Sequence, residues 1–144
     1  MKPEIFSKDT TAIVYGNQQK AIQRMLDFDY VCRRETPSVA AIVTPGKKGF
    51  SKLFFGKKEI IIPNYPDTKS AAEAHPKADA FINFASFCSS YETSIEALNI
   101  KTIRSVTVIA EGVPERRARE IAALAHKLDK MVIGPATVGG IKAG

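Results

Sequence analysis

The chain is predicted to be an α/β protein: a Rossmann-like, doubly wound, mainly parallel sheet of about five strands with flanking helices. Two observations predict this. Short apolar runs alternate with stretches of helical spacing along the 144 residues, which is the pattern of strands joined by helical crossovers. Three of those runs also end in loops carrying glycine or proline. They are Val43-Thr44-Pro45-Gly46-Lys47-Lys48-Gly49, Ile109-Ala110-Glu111-Gly112-Val113-Pro114 and Ile133-Gly134-Pro135-Ala136-Thr137-Val138-Gly139-Gly140. In open α/β sheets, ligands sit beyond the carboxyl ends of the strands, where bare N–H groups and helix N-termini face outward.

The elements follow in order. Ala12-Ile13-Val14-Tyr15 reads as a buried first strand ending at Gly16. From Gln18 the spacing turns helical, with Ala21, Ile22, Met25, Leu26 and Phe28 on one side. Val39–Val43 is the second strand, stopped by Pro45-Gly46. Leu53-Phe54-Phe55 and Glu59-Ile60-Ile61-Ile62 flank Gly56-Lys57-Lys58, either as a small hairpin-like excursion or as a third strand closed by Pro63. Asp67 or Thr68 caps a short helix that runs to His75 and stops at Pro76. Ala78–Phe84 is a strand, and Ser89-Ser90-Tyr91-Glu92 starts a helix through Ile95, Ala97 and Leu98. Val106–Ile109 is the next strand. Pro114 stands where a first helical turn accepts proline. The following helix places Ala118, Ile121, Ala122, Ala125 and Leu128 on its apolar side, and Met131–Ile133 is the last strand. The chain then stops without a closing helix, as expected of a piece cut from a longer chain.

Length and composition bound the function. A 144-residue chain with 44% hydrophobic and 25% charged residues suits one globular domain spanning 1–144. No apolar run approaches the roughly 20 residues that span a bilayer. Met1-Lys2-Pro3-Glu4-Ile5-Phe6 has no secretory pattern. Cys32 and Cys88 form no CxxC pair, so they are expected to be free buried thiols in a reducing cytoplasm, with no metal site. The net charge of +6 suits an anionic partner. Lys47, Lys48, Lys52, Lys57 and Lys58 concentrate that charge in one stretch, whereas Glu115, Arg116, Arg117, Arg119 and Glu120 mix signs on a solvated helix face.

The candidate binding residues lie in the loops after strands. The first turn, Gly16-Asn17-Gln18-Gln19-Lys20, is not GxGxxG. It leads into a helix N-terminus where a phosphate could sit, with Lys20 or Arg24 adding charge; it reads equally as an ordinary turn. After the second strand, an NAD site would carry an acid, and here the chain has Lys47. That lysine favours a phosphate, such as one on an adenosine ribose, over the alternative of a solvated turn. Glu111 is a polar contact candidate or a turn carboxylate. His75 and His126 read as structural or surface residues, and no catalytic constellation is apparent. An NADP-binding oxidoreductase domain is the alternative that the basic loop leaves open. A nucleic-acid-binding module has no stacking motif to support it.

Five stretches carry a resemblance: Arg24-Met25-Leu26-Asp27-Phe28-Asp29-Tyr30, Pro37-Ser38-Val39-Ala40, Phe81-Ile82-Asn83-Phe84-Ala85-Ser86, Ile109-Ala110-Glu111-Gly112-Val113-Pro114, and Ile133 through Gly140. With them the chain resembles the coenzyme A-binding domain of the ATP-citrate lyase family. More distantly it resembles the α subunit of succinyl-CoA synthetase, through the Thr-Pro-Gly-Lys, Glu-Gly-Val-Pro and Ile-Gly-Pro loops. The resemblance implies coenzyme A as cofactor, within an enzyme that joins citrate, ATP and CoA through a phosphohistidine and citryl phosphate to citryl-CoA. It implies CoA contacts from Gly16, Asn17, Gln18, Gln19, Lys20, Ala21, Pro45, Lys47, Phe84, Ala85, Ser86, Ile109, Ala110 and Glu111. The synthetases carry glycine and serine in the first loop, where this chain has Asn17-Gln18-Gln19-Lys20. ATP and magnesium, the phosphohistidine, the ATP-grasp part and the citrate synthase-like module belong to other parts of an oligomeric, cytoplasmic enzyme. A methionine just before the first strand suits the two-subunit arrangement of that enzyme. No catalytic residue falls in this chain, and neither nucleic acid nor membrane is an implied partner.

Overall fold

Ile13 and Val14 are adjacent and both fully buried, which requires apolar cover on both faces of the strand that holds them. That strand, β1 (Ala12–Tyr15), lies in the middle of the sheet in the computed structural model, which describes residues 6–140. The chain start at Met1 and the final residues 141–144 lie outside the described residues. From β1 the chain passes through α1 (Gln19–Val31) to β2 (Val39–Val43), then through the hairpin β3 (Gly49–Phe55) and β4 (Lys58–Tyr65). It returns through α2 (Thr68–Ala74) to β5 (Ala80–Asn83), on the other side of β1. It continues through α3 (Ser90–Asn99), β6 (Ser105–Val108), α4 (Glu115–Lys127) and β7 (Met131–Ile133).

The sheet order is β3-β4-β2-β1-β5-β6-β7. Every pairing is parallel except β3 with β4. Among the described residues the sheet therefore has seven strands rather than about five, because the basic excursion supplies two of them. The strand order reverses between β1 and β5, and this opens a crevice beyond their carboxyl ends.

Side chains alternate between two cores. Ile13, Val43, Phe81, Val106 and Val108 pack with Ala71, Leu98 and Ile121, on the face covered by α2, α3 and α4. Val14 and Ile42 pack with Ile22, Leu26, Leu53 and Ile62, on the face covered by α1. Burying a Leu, Ile or Phe side chain contributes about 1.5–3 kcal/mol. These two clusters thus fix the register, since a one-residue slip would exchange the faces.

Several sequence expectations are corrected. Pro63 does not close a strand but lies inside β4; the pairing of β4 with β2 is confined to Ile42↔Asn64 and Val43↔Tyr65, so its missing N–H breaks no bond there. Phe28 is 48% exposed and Leu128 37% exposed, and Ala122 is also exposed, so the buried stripes of α1 and α4 are narrower than their spacing implies. Cys32 and Cys88 are exposed free thiols, not buried ones, because both lie in turns at helix ends. The lysine stretch divides in space. Lys47 and Lys48 precede β3 at the carboxyl edge of the parallel strands, whereas Lys57 and Lys58 sit at the far end of the hairpin, roughly 20 Å away at the rise of a strand. The Asp67 cap is borne out: its carboxylate accepts from the Ser70 N–H at 2.7 Å.

Candidate coenzyme-binding edge

Because the strands are parallel, the loops after β1, β2, β5, β6 and β7 emerge along one edge. All four predicted contact segments are therefore brought together. Main-chain bonds tie each loop to the next. The Gly16 N–H donates to the Val43 carbonyl at 2.9 Å, Phe84 N–H to Tyr15 at 2.9 Å, Ile109 N–H to Asn83 at 3.1 Å, and Ala136 N–H to Ala110 at 2.9 Å. Thr44 N–H donates to Tyr65 at 2.9 Å. The loops thus continue the sheet for one residue beyond its strands, which gives the edge a fixed backbone course.

Gly16 stands at the switch point with φ of +99°, a region that glycine enters without penalty. A Cβ there would come within 3.1 Å of the Phe84 Cβ. The bare glycine lets the first loop lie against the third. Beyond it Asn17, Gln18, Gln19 and Lys20 are exposed and Ala21 is half-buried. The first turn of α1 has no acidic residue and no side-chain cap, so its N–H groups keep their partial positive charge for an incoming anion. By contrast α3 and α4 carry Glu92 and Glu115 in their first turns. None of these three helices has a side-chain cap, and the one without a first-turn acid carries Lys20 there and opens at the switch point.

Pro45 and Lys47 are exposed in the loop after β2, and the turn is closed by Lys47 N–H donating to Thr44 at 2.9 Å. Phe84 is half-buried, Ala85 is buried, and Ser86 is exposed with its hydroxyl 3.3 Å from that of Ser89. The Ala85 N–H is already accepted by the Asn83 side chain. Ile109 and Ala110 are half-buried, and Glu111 is exposed.

Sequence reasoning passed over two features here. Phe87 is 56% exposed on the loop after Ser86 and lies near Gly112. Glu96 on α3 faces Tyr15 and Asp67 beside the same crevice: partial burial and then the Asp67 charge raise the Glu96 pKa above the usual carboxylate range, while burial and then Glu96 raise that of the Tyr15 phenol. The ordinary signal for Phe87 is a bulky apolar residue among serines in a loop. Nothing in the sequence signals that Glu96 faces Tyr15.

The histidines lie elsewhere. His75 follows α2, 3.1 Å from the Tyr65 hydroxyl, and burial lowers its pKa. His126 is exposed in the last turn of α4. A cleft of about 230 Å³ lined by Thr11, Ala40, His75 and Lys77 belongs to the opposite edge, and a shallow hollow along Arg116, Arg119 and Glu120 is the solvated face of α4. The cleft lies away from the helix N-termini and the hollow carries the carboxylates of Glu115 and Glu120, so the open carboxyl edge is the better candidate for an anion despite its lack of an enclosing wall.

Comparison with known proteins gives consistent results. The chain matches no family model. It is 57% identical over 141 residues to ATP-citrate synthase beta chain protein 1 of Oryza sativa subsp. japonica, covering 98% of this chain and 23% of the relative. It is 54% identical over 142 residues to a probable ATP-citrate synthase subunit 1 of Schizosaccharomyces pombe, again covering 98% and 23%. Two solved structures superpose with a TM-score of 0.93 at 60% identity, covering 94% of this chain and 22% of theirs. One is ATP citrate lyase of Methanosaeta concilii in complex with (3S)-citryl-CoA, and the other is ATP citrate lyase of Methanothrix soehngenii in complex with citrate and coenzyme A. The chain spans under a quarter of the length of these relatives. By sequence and by fold the chain is similar to one region of the ATP-citrate lyases.

Proposed function

We propose that this chain is the coenzyme A-binding module of an ATP-citrate lyase, the enzyme that converts citrate, ATP and CoA to acetyl-CoA, oxaloacetate, ADP and phosphate. One observation carries the reading: the four candidate contact segments share one sheet edge, in a fold superposing at a TM-score of 0.93 on a lyase in complex with citrate and coenzyme A. The residues present suit such a ligand. Lys47 offers an unburied cation for a phosphate, the uncapped start of α1 offers N–H donors, and Gly16 admits the backbone of a ligand-bearing loop.

In this reading the chain performs no bond-breaking step itself. It binds the nucleotide end of CoA and so fixes where the thiol can reach, which lowers the entropic part of the barrier to attack on citryl phosphate. The phosphohistidine, the ATP-grasp part and the citrate synthase-like module belong to other regions of an oligomeric cytoplasmic enzyme. ATP and magnesium bind there.

Calorimetric titration with CoA, dephospho-CoA and NADP tests the reading. The expected result is saturable CoA binding that is weaker for dephospho-CoA. Lys47→Ala removes a charge-assisted contact of about 1.5–3 kcal/mol, so CoA affinity falls roughly 10- to 100-fold while the preference over dephospho-CoA shrinks. Binding of NADP without CoA would replace this reading with an oxidoreductase domain.

A further inference from the structure

Asn83 ends β5 and is fully buried. A buried amide is costly unless its donors and acceptor are all paired, and here they are. Its Oδ1 accepts from the Ala85 N–H at 2.9 Å. Its Nδ2 donates to the Ser90 carbonyl at 3.1 Å, to Thr93 Oγ1 at 2.7 Å and to Ser94 Oγ at 3.0 Å. The orientation of the amide is fixed by chemistry, since the Ala85 N–H can only donate and the Ser90 carbonyl can only accept. Ser94 Oγ in turn donates to the Ser90 carbonyl at 2.6 Å, and Thr93 Oγ1 to the Ser89 carbonyl at 3.0 Å. Residues 90, 93 and 94 are spaced to lie on one side of α3, turned toward this one amide.

The main chain of Asn83 extends the network. Its carbonyl accepts from Ile109 N–H at 3.1 Å, and the next residue, Phe84, donates to Tyr15. One buried residue therefore ties together Phe84–Ser86, the first turn of α3 and the start of the Ile109–Glu111 segment. An apolar side chain would fill the same core position. It would leave the Ala85 N–H without its acceptor, and the turn after β5 without the bond that sets its direction.

We propose that Asn83 is a positioning residue for the coenzyme-binding edge. It does not touch the ligand and acts through Ala85 and α3, holding Ser86 and its neighbours on the course that the ligand meets. This inference rests on reading that edge as the CoA site.

The experiment compares CoA affinity, measured well below the melting temperature, in the unaltered chain, Asn83→Ala, Thr93→Val and Lys130→Met. Thr93→Val removes one acceptor of the Asn83 amide and keeps the shape of the side chain. Lys130→Met is the control for stability alone: the Lys130 ammonium donates to the carbonyls of Leu98 and Ile100 at the other end of α3, far from the edge. Asn83→Ala is expected to lose on the order of tenfold in affinity, Thr93→Val about threefold, and Lys130→Met less than about twofold at a comparable drop in melting temperature. Unchanged affinity in folded Asn83→Ala and Thr93→Val overturns the proposal. An equal loss in Lys130→Met also overturns it, since stability alone would then explain the effect. If Asn83→Ala fails to fold, Thr93→Val decides. If the unaltered chain binds no CoA, the reading of the edge falls and takes this role with it, whereas normal binding with indifferent variants removes this role alone.

Discussion

Two residues outside the candidate contact segments explain why stretches of the resemblance extend beyond those segments. Asp29, in the stretch from Arg24 to Tyr30, is buried at the end of α1, where it accepts the Ser38 N–H at 2.7 Å and lies 3.7 Å from the Arg34 guanidinium. Arg34 also donates to the Thr10 carbonyl at 3.0 Å. The latch joins α1, the start of β2 and the segment before β1. Asp29→Ala leaves the Arg34 charge without its counter-ion and the Ser38 N–H without its acceptor, and is expected to cost about 3–5 kcal/mol in chemical denaturation. A loss under 1 kcal/mol would mean that the latch is solvated. Gly134 has φ of +98°, and a Cβ on it would lie 2.3 Å from the Val108 carbonyl oxygen. Gly134→Ala is therefore expected to destabilise the fold by about 2 kcal/mol or more, measured the same way. Asn83 was legible as a polar residue interrupting an apolar run. Its partners were not, because they lie seven, ten and eleven residues along and only the packing of α3 against β5 brings them near.

At the scale of elements, the edge strand β3 shows a device that spacing cannot reveal. The Gln23 side chain on α1 donates to the Phe54 carbonyl at 2.8 Å and accepts from the Phe54 N–H at 2.9 Å. A side-chain amide thus occupies both edge groups of that residue, as a neighbouring strand would. Phe50, Phe54 and Ile61 are exposed on the hairpin, so an open edge here would invite pairing between chains. Gln23→Ala is expected to raise self-association in sedimentation velocity at high concentration. A strictly monomeric variant, from a monomeric parent, would contradict that role. The packing of α3 beside α2 gives a pH prediction. The folded-state pKa of Glu96 is raised, so the ionised carboxylate is disfavoured in the folded state; its contribution to stability is present below the unfolded pKa and is lost as pH rises through the folded value. Glu96→Gln should therefore melt higher than the parent at pH 7, with the gap narrowing toward pH 4. A gap that widens on acidification would contradict the sign.

At the scale of the molecule, the sequence showed the order of strands and helices because each strand is a short apolar run closed by a loop residue. It did not show the hairpin as two strands of one sheet, since Gly56-Lys57-Lys58 fits either reading and only pairing with β2 decides. Nor did it show that the lysine stretch divides between two edges, because a run of charge in sequence carries no direction once the chain folds back. That the candidate contact segments share one edge was legible, since loops after parallel strands share an edge whatever their order. In the proposed function the chain contains the binding edge, and the chemistry is assigned to other regions. It is thus expected to bind CoA and to release no oxaloacetate from citrate, ATP and CoA in a coupled assay; release by this chain alone would contradict that division of labour.

The central claim is that the carboxyl edge of the sheet is where CoA binds, and hydrogen–deuterium exchange with and without CoA tests it most directly. The account predicts slowed exchange across residues 16–21, 45–48, 84–88 and 109–111, with no change around Lys57 and Lys58 at the far end of the hairpin. Protection instead around Thr11, His75 and Lys77, or along α4, with residues 16–21 and 84–88 unaffected, would contradict it.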